Sequence, residues 1–252
     1  MCWAVGALDV TVLGAGDAFA SRGRFQAGYV IETDGCHVLL EAGPTLLTAL
    51  KRGGIAPADL DYVLISHLHG DHFAGLPFLM LEYMWESPRK RTLTLAGPRH
   101  LEQRTRALFR NMYPRMETHP LMRKLKFVVL EPGHTARVGP MRVAAIRTPH
   151  TKPDISLALR MSMNGKSIAF SGDTGWTDEI VPFVAGADLF LCECTYYESE
   201  HLDFHLNYPL IARNRDRFTA KRIILTHLGR EVLNHQSEIE MEMATDLMRI
   251  TV

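Results

Sequence analysis

The sequence predicts an α/β protein in which two β-sheets pack against each other and helices cover their outer faces. The main observation is the order of elements, because groups of strand-like segments alternate with helix-like segments along the chain. Two sheets that share one core, with helices outside, satisfy this order. A second observation is that neither a Pro/Ser-rich linker nor a repeat divides the 252 residues. We therefore expect a single domain that spans residues 1–252.

The first half of the chain is predicted to mix strands and helices. Alternating or continuous apolar runs mark the strands, and the Asp34-Gly35 step is typical of a hairpin turn. Apolar residues at helical spacing, or a closing glycine, mark the helices. The predicted strands are 8–14, 28–33, 37–41, 61–66 and 92–95, and the predicted helices are 45–54, 73–86 and 100–113.

The second half is predicted to begin with strands and to continue as helices and strands in alternation. Asn164-Gly165 is expected to join two of these strands in a tight hairpin. The predicted strands are 125–130, 141–147, 155–161, 166–171, 188–195 and 222–226, and the predicted helices are 178–185, 208–218 and 236–250.

Composition places the chain among ordinary globular proteins, with 46% hydrophobic and 22% charged residues. No apolar run approaches the roughly 18 residues that span a bilayer, so no membrane partner is expected. The first eight residues lack the cationic and apolar regions of a secretory signal. The cysteines, Cys2, Cys36, Cys192 and Cys194, are too few and too scattered for a disulfide framework, and the last two are expected in the core. The expected location is the reducing cytoplasm.

Charge is unevenly distributed, although the formal net charge is zero. Residues 89–126, the basic segment, contain eleven Lys/Arg and two Asp/Glu, which gives a local charge of +9. A solvated helical surface would explain this segment, and so would a basic wall that attracts an anionic substrate. The positive charge is local, so it does not indicate a protein that wraps long nucleic acid.

Three histidines and one aspartate fall within six residues, directly after a predicted buried strand. His67 and His69 are two positions apart and can point the same way in an extended segment. Asp71 and His72 follow where the chain turns into a helix, so they can face a second ion. Alone, each has an ordinary structural explanation, such as a helix cap at Asp71. Together they predict a metal site whose ligand types suit zinc, and also iron or manganese.

The pattern His67-x-His69-x-Asp71-His72 resembles the signature of hydrolases of the metallo-β-lactamase fold. Residues 14–19, 70–79 and 171–174 resemble the branch that contains ribonuclease Z. The resemblance covers most of the chain. It implies a four-layer αββα sandwich of two mixed β-sheets flanked by helices. It also implies two divalent metal ions as cofactors, with Zn²⁺ as the first expectation and Mn²⁺ or Fe²⁺ as alternatives.

Three downstream positions match further metal ligands of this family, and each lies at the end of a predicted strand. His150 matches the third ligand of the first metal, and Asp173 matches the aspartate that bridges both metals. His227 matches the last ligand of the second metal. His134 competes with His150 but lies in a Pro-Gly turn, where a surface role is expected. The implied metal ligands are therefore His67, His69, Asp71, His72, His150, Asp173 and His227.

The resemblance also implies a residue that assists catalysis. His205 resembles the histidine that assists phosphodiester cleavage in the ribonuclease Z branch, although Leu206 and Asn207 replace the hydroxyl residues of that motif. His201 is a rival four positions away. Asp71 and His205 are the predicted catalytic residues.

Other features of the sequence distinguish this chain from particular members of the superfamily. His69 stands where oxygen-reducing relatives usually carry Glu, and Asp173 stands where the commonest zinc β-lactamases use Cys. Only 22 residues separate His150 from Asp173, so the long tRNA-gripping arm of bacterial ribonuclease Z has no room there. Glu41 stands where the family usually has a supporting Asp, and its extra methylene leaves its role open.

These residues together predict a metal-dependent hydrolase, with a phosphodiester as the expected substrate class. A hydroxide between two metal ions would attack phosphorus, and His205 would protonate the leaving oxygen. A lactone or thioester hydrolase on the same metals is the alternative, with Tyr196 or Tyr197 orienting a carbonyl. A non-catalytic metal-binding protein is disfavoured, because none of the seven ligands is missing. The expected partner is a small anionic substrate, such as a nucleotide or an RNA end. Homodimers are common in this branch.

Overall fold

The computed structural model describes residues 8–33, 35–199 and 203–252. Of the features discussed above, Cys2, the first residue of the Asp34 turn and the candidate His201 lie outside the described residues. In the part of the chain that is described, none of the helices has the length and apolarity that crossing a membrane requires.

The first sheet is built mainly from the N-terminal half of the chain. Its strands are β1 (Asp9–Gly14), β2 (Gly28–Thr33), β3 (Cys36–Leu40), β4 (Tyr62–Leu64), β5 (Leu93–Gly97), β6 (Leu125–Val129) and β13 (Arg249–Thr251). Their spatial order is β13-β1-β2-β3-β4-β5-β6. β1, β2, β3 and β13 pair antiparallel, whereas β3 to β6 pair in parallel. The parallel strands are apolar on both faces because both faces are covered.

The second sheet contains the remaining strands. They are β7 (Thr135–Val138), β8 (Met141–Thr148), β9 (Ser156–Met163), β10 (Lys166–Phe170), β11 (Leu189–Glu193) and β12 (Ile223–Thr226). Their spatial order is β12-β11-β10-β9-β8-β7. β7 to β10 form an antiparallel meander, and β10, β11 and β12 are parallel. As a result, β8, β10 and β12 all run in the same direction.

The helices cover the outer faces of the two sheets. They are α1 (Leu46–Arg52), α2 (Gly70–Phe73), α3 (Leu76–Trp85), α4 (Leu101–Met112), α5 (Ile180–Val184), α6 (Tyr208–Arg213) and α7 (Arg230–Asn234). One apolar cluster fills the space between the sheets and includes Val12 of β1 and Leu159 of β9. Two others lie under the helices of each sheet. The predicted αββα sandwich of two mixed sheets is confirmed, and Cys192 and Cys194 are core residues beneath α5 to α7.

The predicted C-terminal helix over residues 236–250 is wrong. The structure has a single 3-10 turn at Gln236–Glu238, an extended segment and then β13. Ile239, Met241 and Met243 are partly buried against the cluster under the second sheet. They alternate with glutamates, and this period of two is typical of extended chain rather than helix. The strand β7 and the short helix α7 were not predicted either.

Candidate metal centre

The predicted ligands meet at one edge of the sandwich because four strands end there. The loop that holds residues 67–72 follows β4, and His150, Asp173 and His227 follow β8, β10 and β12. Gly172, directly before Asp173, has φ +58°, and a Cβ at this position would lie 2.5 Å from the Leu157 carbonyl oxygen. Glycine is therefore required for Asp173 to turn into the site.

Asp173 lies at the middle of the cluster. Its Oδ2 is 3.2 Å from Nε2 of His72 and 3.4 Å from Nε2 of His227. The same oxygen is 3.7 Å from Nε2 of His67 and 3.7 Å from Nε2 of His150. One carboxylate thus faces four imidazoles that arrive from both sheets, which is the position a bridging ligand would occupy.

Several overlapping groups of possible ligand atoms lie in this cluster, and two of these groups together contain all seven residues predicted as ligands. Within each group the ligand atoms lie within 4.8 Å of one another. His69 Nδ1 and His150 Nε2 are 3.0 Å apart, and Asp71 Oδ2 is 3.3 Å from His227 Nε2. The first group is His67, His69 and His150, and the second is Asp71, His72, Asp173 and His227.

Two ligands from the β4 loop are fixed by fully buried contacts. Glu41 Oε2 lies 2.7 Å from His72 Nδ1, and Glu41 Oε1 accepts a hydrogen bond of 2.7 Å from the Ser66 amide. Ser66 Oγ lies 3.0 Å from His67 Nδ1. Glu41 adopts φ +63°, a conformation that costs a non-glycine residue about 1–3 kcal/mol. The contact with Nδ1 orients His72 with Nε2 toward the cluster.

The ligands from the second sheet are oriented in a similar way. His150 Nδ1 donates to the Phe204 carbonyl oxygen at 2.7 Å, so its Nε2 is left for the cluster. Thr195 donates its hydroxyl proton to Glu193 Oε2 at 2.9 Å, so its oxygen accepts the Nδ1 proton of His227 at 2.9 Å. This chain of hydrogen bonds sets the tautomer that offers a nitrogen lone pair to a metal.

The cluster contains buried polar atoms that have no hydrogen-bond partner. Among the described residues, these include His67 Nε2, His72 Nε2 and Asp173 Oδ1, which belong to three of the predicted ligands. A buried polar group without a partner costs about 1–3 kcal/mol. A divalent cation coordinated by these nitrogen and oxygen atoms would satisfy them. The residues present therefore fit a divalent metal.

Electrostatics favour positive charge at the same place. Burial opposes the charged form of His72, yet the carboxylates of Asp173 and Asp71 raise its pKa well above the ordinary value. Burial likewise opposes ionisation of Asp71, but His72 and His227 hold its pKa well below the ordinary value. The carboxylates thus stabilise positive charge in the cluster.

His205, the predicted catalytic histidine, lies beside both ligand groups. Its ring centroid is 4.8 Å from that of His150 and 5.5 Å from that of His227. Its Nδ1 lies 2.9 Å from Glu193 Oε1. Burial would lower the pKa of His205, but the Glu193 carboxylate outweighs this effect and raises the pKa to about 9. His205 is therefore a cation near neutral pH, with Nδ1 held by Glu193.

Glu193 is a functional residue that the sequence analysis missed. It is fully buried at the end of β11, and Oε1 also accepts a hydrogen bond of 2.8 Å from the Thr174 amide, next to Asp173. One carboxylate thus connects the Asp173 loop, Thr195 and His205. A charged residue within an apolar strand was the available signal, because buried carboxylates are rare unless they have partners.

Other candidates lie apart from the centre or have other partners. His134 is exposed and its Nδ1 donates to the Pro132 carbonyl oxygen, which agrees with the expected surface role. The Tyr197 hydroxyl donates to Glu238, and its ring stacks on His235. In the basic segment, several cations have partners close by, and ion pairs join Arg91 to Asp61, Arg99 to Glu131, Arg104 to Asp154 and Arg106 to Glu102.

Comparison with known proteins identifies relatives along almost the whole chain. The chain is 26% identical over 228 residues to the probable metallo-hydrolase YhfI of Bacillus subtilis, covering 88% of this chain and 87% of that protein. It is 24% identical over 282 residues to ribonuclease Z of Clostridium novyi, covering 88% and 89%. The crystal structure of YhfI, a metallo-β-lactamase fold protein from B. subtilis, matches with a TM-score of 0.79 and 21% identity, covering 98% of this chain and 100% of that one.

The short form of human tRNase Z also matches, with a TM-score of 0.76 and 25% identity, covering 96% of this chain and 98% of that one. The resemblance to the ribonuclease Z branch of the metallo-β-lactamase fold is confirmed. These relatives, together with the His/Asp cluster, support a metal-dependent hydrolase. The family described as Anti-Pycsar protein Apyc1 matches residues 8–248, and the chain belongs to this family.

Proposed function

We propose that the protein is a dinuclear metal-dependent phosphodiesterase. The main support is the position of His205, whose imidazole lies against both ligand groups. Glu193 binds its Nδ1 and favours the cationic form. Phosphodiester cleavage expels an alkoxide, which needs a proton as it leaves. A protonated histidine beside two metal sites supplies this function.

The proposal of two metals rests on the ligand geometry. Each group contains at least three ligand atoms, and Asp173 Oδ2 lies within 3.7 Å of imidazole nitrogens from both. A single ion would leave one group of buried imidazoles and carboxylates unsatisfied. When bound, two divalent ions would supply a nucleophile by lowering the pKa of water and would polarise the attacked phosphoryl oxygen.

The protein side chains have separate roles in the proposed reaction. Asp71 and Asp173 place two carboxylates at the proposed reaction centre, each within 3.4 Å of His227 Nε2. Glu193 fixes His205 through Nδ1, so the Nε2 proton is the one available for the leaving oxygen. Thr195 links Glu193 to His227 and so keeps proton donor and ligand in a fixed relation. Such positioning is typically worth about 10²–10⁴-fold in rate for general acid catalysis.

The relatives add independent support for phosphoryl chemistry. Ribonuclease Z of C. novyi, to which the chain is 24% identical, is named for cleavage of RNA. This chain has a His/Asp cluster that could hold metal ions, and His205 lies next to it, which supports the same class of reaction here.

A lactone or thioester hydrolase remains the second candidate because of Tyr196. Its ring centroid lies 5.8 Å from that of His205. Burial raises the pKa of the Tyr196 hydroxyl further above its ordinary value, and the neutral phenol is the form that interacts with a carbonyl oxygen. The metal cluster itself serves both reactions.

A substrate comparison on one metal-replete preparation tests the proposal. We expect faster hydrolysis of bis(p-nitrophenyl) phosphate than of a lactone, a thioester or a β-lactam. Tyr196→Phe should leave phosphodiester hydrolysis nearly unchanged. A wide preference for the lactone or thioester, lost in Tyr196→Phe, would establish the second candidate instead.

A further inference from the structure

Two fully buried hydroxyl groups join the two sheets next to the ligand His227. Tyr29 lies on β2 and Thr226 is the last residue of β12, and both are 0% exposed. The Tyr29 hydroxyl oxygen is 2.6 Å from Thr226 Oγ1, so the two groups share a hydrogen bond across the core. Tyr29 belongs to the apolar cluster between the sheets. A hydrogen bond has a preferred distance and direction, whereas apolar packing is non-directional, so this contact fixes the position of Thr226 more closely than packing would.

His227 has a backbone conformation that depends on support from its surroundings. Its φ is +52°, in the left-handed region. For a residue other than glycine this conformation is strained, and it persists only where neighbouring contacts hold it. A small change in this turn would move Nε2 of His227, which lies 3.3 Å from Asp71 Oδ2 and 3.4 Å from Asp173 Oδ2. The contacts that hold the turn therefore bear directly on the second ligand group.

Both chain neighbours of His227 are held by the first sheet. Thr226 is bound by Tyr29 of β2. On the other side, the Leu228 amide donates to the Ala15 carbonyl oxygen at 2.8 Å, and Ala15 directly follows β1. His227 is thus part of the second sheet by chain connectivity, but contacts with the first sheet fix the residues on either side of it.

This arrangement matters because the second ligand group draws its members from both sheets. Asp71 lies in the loop after β4 of the first sheet, and His227 follows β12 of the second. The hydrogen bond between Tyr29 and Thr226 links the sheets one residue before His227. It therefore acts where the two contributions to this group must meet.

We propose that Tyr29 is a positioning residue that holds His227 through Thr226 and thereby sets the affinity of the second ligand group for its metal ion. The inference rests on the proposed dinuclear centre. Loss of a partner behind a metal ligand typically weakens metal affinity by about 10–100-fold. Tyr29 acts through one more residue, so the expected loss is at the lower end, about tenfold.

Removal of the hydroxyl without the ring provides the test. Tyr29→Phe keeps the contact with Phe170, whose ring centroid is 5.5 Å from that of Tyr29. Co²⁺ suits imidazole ligands and serves as the probe, because its binding is followed by visible absorption and by competition with a chelator. We expect one of the two Co²⁺ dissociation constants to rise about tenfold and the other to stay unchanged. Thr226→Val should have the same effect, whereas Thr226→Ser keeps the hydroxyl and should bind both ions as the wild type does.

A double variant and a buried control separate positioning from a general loss of stability. If the two hydroxyls act as a unit, Tyr29→Phe combined with Thr226→Val should weaken binding no more than either change alone. Tyr83 on α3 is the matched control, because its buried hydroxyl donates a 2.7 Å hydrogen bond to the Pro57 carbonyl oxygen. Tyr83→Phe should lower the free energy of unfolding without changing either dissociation constant.

Variants that keep one ligand group assign the effect to an ion. His69→Ala retains the second group, and Asp71→Ala retains the first. Adding Tyr29→Phe should weaken Co²⁺ binding about tenfold in His69→Ala and leave it unchanged in Asp71→Ala. Unchanged dissociation constants in Tyr29→Phe, equal weakening of both ions, or a loss that persists in Asp71→Ala would overturn the role of Tyr29 alone. Binding of a single ion by the wild type would instead refute the dinuclear centre, and the role of Tyr29 with it.

Discussion

The two halves of the candidate centre are supported in different ways. The buried half consists of Glu41, Ser66, His67 and His72, all of them fully buried. The open half consists of Glu193, Thr195 and His205, and the His205 side chain is 16% exposed. The first arrangement is suited to retaining a cation, because its contacts are dry and rigid. The second leaves an imidazole that a substrate can reach, so metal retention and proton donation should be separable by mutation.

Removing the carboxylate at the middle of the cluster should have the largest effect. Asp173→Ala removes the carboxylate that faces four imidazoles, so we expect undetectable hydrolysis and a large loss of bound metal, with circular dichroism nearly unchanged. His69→Ala should also abolish hydrolysis. Asp216→Ala makes the same change at an exposed position and serves as the control. Full activity in Asp173→Ala or His69→Ala would show that the site is misassigned.

The proton donor should be the next largest effect, and it should spare the metal. His205→Ala should lower kcat by about 10²–10⁴-fold while metal content stays at the wild-type value. His134→Ala, at an exposed histidine, should behave as wild type. Since the protonated form is the active one, kcat should fall as the pH rises through the pKa of His205, and this fall should be absent in His205→Ala. Loss of both metal and activity in His205→Ala would instead show that His205 is a metal ligand.

Glu193→Gln tests the support of the open half. The carboxylate raises the pKa of His205, so its neutralisation should lower that pKa and move the alkaline fall in kcat to lower pH. We expect a loss of about 10–100-fold in kcat, the usual cost of removing an outer partner. If Glu193→Gln changed the free energy of unfolding but not the pH profile of kcat, the role of Glu193 would be structural only.

Glu41→Asp tests the support of the buried half. The shorter side chain should lose contact with His72 Nδ1, so metal affinity should weaken by about 10–100-fold. At saturating metal, kcat should be close to that of the wild type. Glu32→Asp on β2 is the matched control, because Glu32 is part of a partly exposed ion pair with His37. Unchanged metal affinity in a competition with a chelator would contradict the role given to Glu41.

Charge reversal in the basic segment should have the smallest effect. Arg123→Glu changes an exposed residue, so we expect at most a few-fold increase in KM, diminishing with added salt, and no change in kcat. A salt-independent drop in kcat would show that this segment contacts the reaction centre.

Much of the architecture could be predicted from the sequence, because buried strands leave apolar or alternating patterns that local reading detects. The resemblance to a known family selected the candidate ligands, and the structure places His67, His150, Asp173 and His227 just after the ends of four strands. The C-terminal segment was mispredicted although Ile239, Met241 and Met243 alternate with glutamates, a period of two that indicates extended chain. These three side chains pack against the apolar cluster under the second sheet.

The supporting residues were harder to predict. The role of Glu193 depends on contacts with Thr174 and His205, which lie 19 and 12 positions away along the chain. The role of Glu41 depends on a left-handed backbone conformation that spacing alone does not reveal. Ligands can be recognised by a motif, whereas their partners become visible only when the strands are assembled.

Metal content is the most direct test of the central claim that both ligand groups hold an ion. Protein purified without chelator, or reconstituted with zinc or manganese, should contain close to two metal ions per chain by elemental analysis. This value follows from two ligand groups joined by Asp173. A reproducible value near one would contradict the dinuclear centre. A value near zero that added zinc or manganese does not restore would contradict metal-dependent hydrolysis by this cluster.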